Sequence, residues 1–468
     1  MHVQNNNSDT ICAIATALGR SGVGIVRISG GKAKELAAAI LGFTPKPRYA
    51  YYCRFLDNNQ QIIDQGIALF FEGPHSFTGE DILELQGHGG AYVLNALRDL
   101  ALSRGARLAR PGEFSERAFL NNKIDLVQAE AIADLINANS QQAARSAMRT
   151  LQGEFSRQIH ELVQRLITIR VNVEAAIDFS DEDIDVLSDT RVVTALEEAL
   201  GLLSRTLKQA QQGALLQEGI NVVIAGKPNA GKSSLMNALS GADSAIVTDI
   251  PGTTRDLLRE QINIEGVPLH IVDTAGLRAS EDVVEQEGVR RAYRAIEQAD
   301  RVLLVIDCAE LQEPVENLLA PLQLLGDKAE DQLRLLQRTT IVFNKSDLLQ
   351  NPPITPHPLV HLGLQLPVIC LSAKTGLGVD NLKQHLLSCA GYDGNEEGSF
   401  TARERHLRAL ENCQRLMEKA ALGVSKHSLL ELVAEDLRLS QQELGTITGE
   451  YSSDDLLGEI FASFCVGK

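Results

Sequence analysis

The chain has 468 residues, too many for one compact core and enough for about three domains of ordinary size. Its formal net charge of −17 excludes a protein that grips a phosphate backbone over a broad basic surface, so any RNA contact must be local or shared with a partner. Seven scattered cysteines (Cys12, Cys53, Cys308, Cys370, Cys389, Cys413 and Cys465) form no CxxC pair, which argues for reduced thiols over a disulfide framework or a zinc site. No apolar run is long enough to span a bilayer, and Met1-His-Val-Gln-Asn-Asn-Asn lacks the basic flank and apolar stretch of a leader. A cytoplasmic protein with no membrane anchor is expected.

Before about Pro111, short β-type runs (Thr10 to Thr16, Val23 to Ile28, Gln61 to Phe71, Asp81 to Gln86) alternate with helical ones (Ala33 to Leu41, Ala91 to Ser103), which predicts an α+β domain. From Gly112 to Pro228 there is no proline, and Ala, Leu, Gln, Arg and Glu dominate at helical spacing, as in Ala131 to Leu135 and Ile159 to Val173. The same texture resumes after Gly391-Tyr-Asp-Gly394 and runs to the end. The economical reading is one helical domain interrupted by an inserted module, entered near Gln217-Glu-Gly219 and left near Gly391. The expected boundaries are 1–120, 121–217, 218–390 and 391–468. The acidic stretch Asp178 to Asp185 reads as a solvated loop or helix end. Ala309 to Arg338 reads as a helix plus loops, and the segment with Pro352, Pro353, Pro356 and Pro358 carries no recognisable site.

The inserted module carries the chemistry. Ile220 to Ala225 reads as a buried strand and Ser234 to Leu239 as the first turns of a helix, with Gly226-Lys-Pro-Asn-Ala-Gly-Lys232-Ser233 between them. In that setting the loop amides, among them those of Gly226, Asn229, Ala230, Gly231 and Ser234, cradle phosphates at a helix N-terminus. Lys232 reaches the outer phosphates, and the Ser233 hydroxyl ligates Mg²⁺. Downstream, Val267 to Asp273 is a strand ending in Asp273-Thr274-Ala275-Gly276, where the aspartate can hold Mg²⁺ through water and the glycine amide can sense the terminal phosphate. Thr340 to Asp347 ends a further strand in Asn344-Lys345-Ser346-Asp347, and the Asp347 carboxylate can accept two hydrogen bonds from a guanine edge that adenine lacks. Ser372-Ala373-Lys374 follows the next strand, at the place of the guanine O6 contact in the translation-factor-like GTPases it resembles. Each tetrapeptide alone is weak, but four in fixed order at strand ends predict a parallel sheet with ligand at its carboxyl edge.

The switch segment Thr248-Asp249-Ile250-Pro251-Gly252-Thr253-Thr254 offers Mg²⁺ a second hydroxyl, expected from Thr254. Leu277 stands where Ras-like enzymes place a water-orienting glutamine, so water must be oriented by another group.

Asn229, the run Thr248 to Arg255, and Asp273-Thr-Ala-Gly-Leu-Arg278 followed by Glu285-Gln-Glu-Gly288 resemble the MnmE (TrmE) family of tRNA modification GTPases. The likeness extends over Asp9 to Gly30, Phe77 to Asp81, Glu84 to Gly90, Arg110 to Phe119 and the terminal Cys465-Val-Gly-Lys468, covering nearly the whole chain. It implies a multidomain α/β protein: an N-terminal α+β folate-binding and dimerisation domain, and an all-α helical domain interrupted by a Ras-like P-loop GTPase domain. It implies K⁺ in place of an arginine finger, held by Asn229, Thr248, Ile250 and Thr253, with catalytic roles for Lys232 and for Glu285, which would act through a bridging water. Oxygen ligands of this kind suit an alkali cation. Spacing alone favours loop capping for Asn229 and a solvated helix-start acid for Glu285; the family resemblance reverses this.

The resemblance further implies that Arg27, Glu84, Lys123 and Lys468 contact a 5-formyl- or methylene-tetrahydrofolate, and that Cys465 matters for tRNA modification. Residue by residue, Arg27 also reads as a surface charge, Glu84 as an outward strand residue and Cys465 as a packed small hydrophobe, while Gly467 and Lys468 fit a prenylation signal badly. The implied function is a potassium-activated GTPase that works as a homodimer with MnmG (GidA), in a heterotetramer or larger complex. The partner brings FAD and NADH, and a carboxymethylaminomethyl or aminomethyl group is installed on the wobble uridine of certain tRNAs. The alternative is a ribosome-assembly or RNA-binding GTPase of the same class, which predicts a basic RNA-binding appendage. A membrane-transport or stress regulator would need an anchor.

Overall fold

The computed structural model describes residues 9–17, 19–178, 190–240, 259–273, 296, 299–310, 313–323, 329–349, 357–392, 400–425, 430–451, 454–464 and 467. The chain divides into two units, one of Met1–Asn137, Met148–Arg205 and Arg408–Lys468, the other of Ala138–Ala147 and Thr206–Leu407.

In the first unit six strands form one sheet: β1 (Thr10–Ile14), β2 (Ser21–Ser29), β3 (Tyr51–Leu56), β4 (Ile62–Phe71), β5 (Ile82–Gly89) and β6 (Ala106–Leu108), in the order β3-β4-β5-β2-β1-β6. Every pairing is antiparallel except β1 with β6. One face is covered by α1 (Ala33–Leu41) and α2 (Ala91–Ser103), whose Leu36, Ile40, Leu94 and Leu97 bury against Val26, Ile28, Phe55, Phe70, Leu83 and Leu85. Strand alternation sends Arg27 and Glu84 to the other face, where Ile11 and Ala13 pack with Phe114 of α3 (Glu113–Leu120). The α+β expectation holds, and α1 and α2 have the bounds read from the sequence. The short β6 carries no alternating apolar signal, and neither it nor β3 stands among the expected strands.

Helices α4 (Leu126–Asn137), α5 (Gln141–Leu151), α6 (Glu154–Asp178) and α7 (Thr190–Glu218) follow. On α6, Phe155, Ile159, Leu162, Leu166, Ile169 and Val173 are buried at alternating spacings of four and three, the stripe that a helix presents to a neighbour. That neighbour is α13 (Leu430–Thr448), which follows α12 (Glu404–Ser425) and buries Val433, Leu437, Leu444 and Ile447. The last helix, α14 (Asp454–Ala462), brings Ile460 and Phe461, with Phe464 beyond it, onto Leu126 and Ala129 of α4. No helix among the described residues is long and apolar enough to cross a membrane.

In the second unit the sheet runs β14-β11-β10-β7-β9-β8, from β7 (Ile220–Ala225), β8 (Arg259–Ile264), β9 (Val267–Asp273), β10 (Arg301–Asp307), β11 (Thr339–Asn344) and β14 (Val368–Cys370). It is parallel, as expected, save for β8, an antiparallel edge strand joined to β9 by a tight turn. Glu265 and Gly266 both have positive φ, 50° and 87°, as a two-residue hairpin loop requires. Both faces are apolar: Val222 and Ile224 pack with α8 (Lys232–Ser240) and α11 (Val379–Cys389), while Val223 packs with Leu318 and Leu336 of α9 (Val315–Gln323) and α10 (Ala329–Gln337). The stretch 309–338 thus holds two helices where one was expected, and a hairpin of β12 (Leu359–His361) and β13 (Leu364–Leu366) follows the proline-rich segment. Within the second unit, Ser140 Oγ donates to the Gly266 carbonyl at 3.0 Å, and at Gly213 the chain at Phe400 comes too close for a Cβ.

Candidate functional site

The phosphate loop leaves β7 at Gly226, and its shape excludes side chains at two places. A Cβ on Gly226 (φ 147°) would lie 2.2 Å from the Val305 carbonyl oxygen, and one on Gly231 (φ 92°) would lie 2.2 Å from Asn344 Nδ2. Between them the exposed Asn229 takes φ 65°, a left-handed conformation that asparagine tolerates better than most residues. Lys232 is buried and folds back over the loop, donating Nζ to the carbonyls of Gly226 at 3.0 Å and Lys227 at 3.1 Å. Ser233 and Ser234 are exposed in the first turn of α8, where helix amides without intrahelical partners favour an anion.

Asn344, fully buried at the end of β11, joins the three loops. Its Nδ2 donates to the Ala230 carbonyl at 2.9 Å, and its Oδ1 accepts from the amides of Lys345 at 2.8 Å and Ala373 at 3.0 Å. Phosphate loop, base loop and the Ser372-Ala373-Lys374 loop therefore form one edge. Ser372 Oγ donates to Asp347 Oδ1 at 2.6 Å, which turns the exposed carboxylate to a fixed orientation, and the Ser346 amide donates to the Leu371 carbonyl. These contacts bring Gly226, Asn229, Ala230, Gly231, Lys232, Asn344, Lys345, Ser346, Asp347, Ser372 and Ala373 to one carboxyl edge. Asp273 ends β9 beside β7, with its backbone alone described. Thr248, Asp249, Ile250, Pro251, Gly252, Thr253, Thr254, Thr274, Ala275, Gly276 and Glu285 lie outside the described residues, as does the acidic stretch after Asp178. Among the described residues no group of three or more His, Cys, Asp or Glu is placed to hold a metal ion, and the described cysteines are free thiols.

The second candidate site is on the first unit. Arg27 and Glu84 are register partners on β2 and β5, and Arg27 Nε donates to Glu84 Oε1 at 2.9 Å with both side chains mostly buried. The Arg27 guanidinium lies 5.9 Å from the Phe77 ring centre and 5.7 Å from that of Phe114, and its Nη1 donates to the Gly467 carbonyl at 3.3 Å. Lys123 donates Nζ to the Pro74 carbonyl at 2.9 Å, on the same loop that carries Phe77. Cys465 and Lys468 lie outside the described residues, although Gly467 between them is held against β1. The sequence reading missed Phe77 and Phe114 as neighbours of Arg27, because a loop and a helix distant in sequence bring them there and no local pattern shows it.

Behind that face Arg117, buried on α3, donates to Glu80 at 3.0 Å, Asp9 at 2.8 Å and Glu113 at 3.1 Å, and Arg107 donates to Glu113 at 2.8 Å. Burial pushes the Glu113 carboxyl up, but hydrogen bonds from Arg107, the Arg110 amide and Arg117 outweigh it and hold it below its ordinary value. Asp9 is lowered in the same way, against burial, by Arg107 and Arg117.

A doubly covered sheet with a phosphate loop, an Asn-Lys-x-Asp loop and a Ser-Ala-Lys loop joined at its carboxyl edge defines a P-loop GTPase of the guanine-binding class. The description "GTP-binding protein TrmE N-terminus" matches residues 10–123 and "MnmE helical domain" matches residues 126–465. The chain is 55% identical over 463 residues to the tRNA modification GTPase MnmE of Hydrogenovibrio crunogenus, covering 99% of both chains. It is 54% identical to those of Chromohalobacter salexigens, over 98% of both, and Saccharophagus degradans, over the whole of both. The chain belongs to the MnmE family of tRNA modification GTPases.

Proposed function

We propose that this GTPase is activated by potassium and, with an MnmG-type flavoprotein, modifies the wobble uridine of certain tRNAs. The observation that carries the reading is the joined edge: Asn344 ties the base loop to the phosphate loop, Lys232 sits over that loop, and Asn229 stands exposed at its tip. The donor set suits the groups proposed for it. A loop with no room for a Cβ at Gly226 or Gly231 lets backbone amides approach phosphates, and an exposed Asn229 carbonyl is a hard ligand. Mg²⁺ would be held by Ser233 and Thr254, and K⁺ by Asn229, Thr248, Ile250 and Thr253. Together they supply positive charge at the leaving oxygens, which is most of what phosphoryl transfer asks of a site. Asp347 selects guanine, Lys232 neutralises the outer phosphates, and Glu285 orients water through a second water.

On the first unit a tetrahydrofolate derivative would meet Glu84 with its pterin donor edge, and Arg27, Lys123 and Lys468 with its carboxylates. The half-buried pair of Arg27 and Glu84, flanked by Phe77, is a donor and acceptor set that fits such a ligand. The further reading is a cytoplasmic homodimer through the N-terminal domain, bounded at 1–120, 121–217, 218–390 and 391–468, with FAD and NADH carried by the partner. Cys465 would serve the modification reaction. Closure of two GTPase modules across the dimer would order the switch segment around K⁺, and GTP hydrolysis would release it. The test is GTP turnover at saturating nucleotide in potassium and in sodium: faster turnover in potassium is expected for the wild type and is lost in Asn229→Ala. Equal rates in the two salts would sink the cation assignment.

A further inference from the structure

The turn that follows β10 carries two acids that lie outside every nucleotide motif. Asp307 closes the strand and Glu310 ends the short 3-10 turn Cys308–Glu310. Asp307 Oδ2 accepts from Lys345 Nζ at 2.7 Å while its Oδ1 accepts from the Ala309 amide at 3.0 Å. Glu310 Oε2 accepts from Lys227 Nζ at 2.7 Å. Lys345 belongs to the base loop and Lys227 to the phosphate loop. All four side chains line one cleft of about 100 Å³ together with Asn229 and Ala230.

Each lysine needs such a partner. Lys345 takes φ 67°, a left-handed backbone that a non-glycine residue keeps only where its surroundings hold it. Lys227 precedes the exposed Asn229 by two residues on a loop that would otherwise leave a long, rotamer-rich side chain free. The Lys345 hydrogen bond and the Ala309 amide hold the Asp307 carboxyl below its ordinary value against the pull of burial, so the acid stays charged at neutral pH. Two loops that must meet one nucleotide are thus tethered to a single turn of rigid chain, and loops already held in place lose less freedom when ligand binds.

We propose that the Asp307–Glu310 turn is a positioning clamp for the nucleotide, Asp307 fixing the base loop through Lys345 and Glu310 fixing the phosphate loop through Lys227. The clamp rests on the assignment of these loops to GTP. Neither acid is a catalytic residue, since each acts through a lysine, and their effect belongs on nucleotide retention and not on the chemical step.

The test uses the full-length chain and its variants Asp307→Asn, Glu310→Gln, Lys227→Met and Asp307→Glu, measuring KM and kcat for GTP and the release rate of a fluorescent GDP. Wild type must first saturate with GTP; if it does not, the nucleotide assignment fails and the clamp falls with it. Given saturation, each partly exposed pair is expected to raise KM and GDP release about three- to fivefold while kcat stays within about twofold. Combining Glu310→Gln with Lys227→Met should be no worse than either alone, because both remove one contact. Asp307→Glu should recover to within about twofold of wild type. KM and GDP release unchanged in Asp307→Asn and Glu310→Gln would overturn the clamp. So would additive effects of Glu310→Gln and Lys227→Met, or a fall in kcat that tracks loss of folded protein.

Discussion

Asn344 donates its side-chain amide to the Ala230 carbonyl at 2.9 Å, across 114 positions of sequence, and so makes the base loop and the phosphate loop a single object. The nitrogen occupies the space that a Cβ on Gly231 would take. A glycine that the motif explains by phosphate approach therefore has a second reason to be there.

Gly231→Ala should break this link. The new methyl group meets Asn344 Nδ2, and the backbone at φ 92° is strained for any L side chain. Loss of one buried hydrogen bond together with that strain is expected to weaken guanine-nucleotide affinity, GDP included, by at least about tenfold. Calorimetric titration with GDP checks it, with folate binding by the first unit unaltered as the internal control.

The pairing of Arg27 with Glu84 predicts a separable effect. Glu84→Gln keeps the size of the side chain but removes the carboxylate that Arg27 holds at 2.9 Å, and a charge-assisted hydrogen bond is the strongest that this face offers a pterin edge. Affinity for 5-formyl-tetrahydrofolate is expected to fall about tenfold with KM for GTP unchanged. Unaltered folate affinity in equilibrium dialysis would remove Glu84 from the site.

The buried cluster around Arg117 sets a pH dependence. Glu113 and Asp9 have lowered folded-state pKa values, so their stabilisation is present above the unfolded carboxylate range and is lost as pH falls through the folded values. Arg117→Met leaves buried Glu113 without one of its partners and is expected to cost about 3–5 kcal/mol near pH 7. The cost is expected to shrink as pH is taken from 7 down through the ordinary carboxylate range toward the lowered folded-state values. Thermal unfolding of the two proteins across that range checks this: a gap that stays constant or widens in acid contradicts the assignment.

The sequence disclosed most of the nucleotide edge because each loop is a contiguous motif flanked by an apolar strand. Helices α1 and α2 were equally legible, with turn residues on either side of a clear apolar stripe. Pairwise relationships were not. Arg27 meets Glu84 only through strand register, and Asp307 meets Lys345 only because parallel strands β10 and β11 end side by side. The antiparallel β8 was hidden because strand direction is set by the turn at Glu265 and Gly266, whose two positive φ values are invisible in an apolar pattern. Read alone, Arg27 and Glu84 look like outward charges; in the fold they pair with each other, and the Arg27 guanidinium lies near two aromatic rings.

GTP turnover at this edge is expected to serve tRNA modification, and nucleoside analysis of bulk tRNA tests this most directly. A strain lacking this gene would be complemented with wild type or with Lys232→Ala, which removes the ammonium that lies over the phosphate loop. Aminomethylated or carboxymethylaminomethylated wobble uridine is expected with wild type, and unmodified wobble uridine in the deletion and with Lys232→Ala. Full modification in the deletion strain, or full rescue by Lys232→Ala, would contradict it.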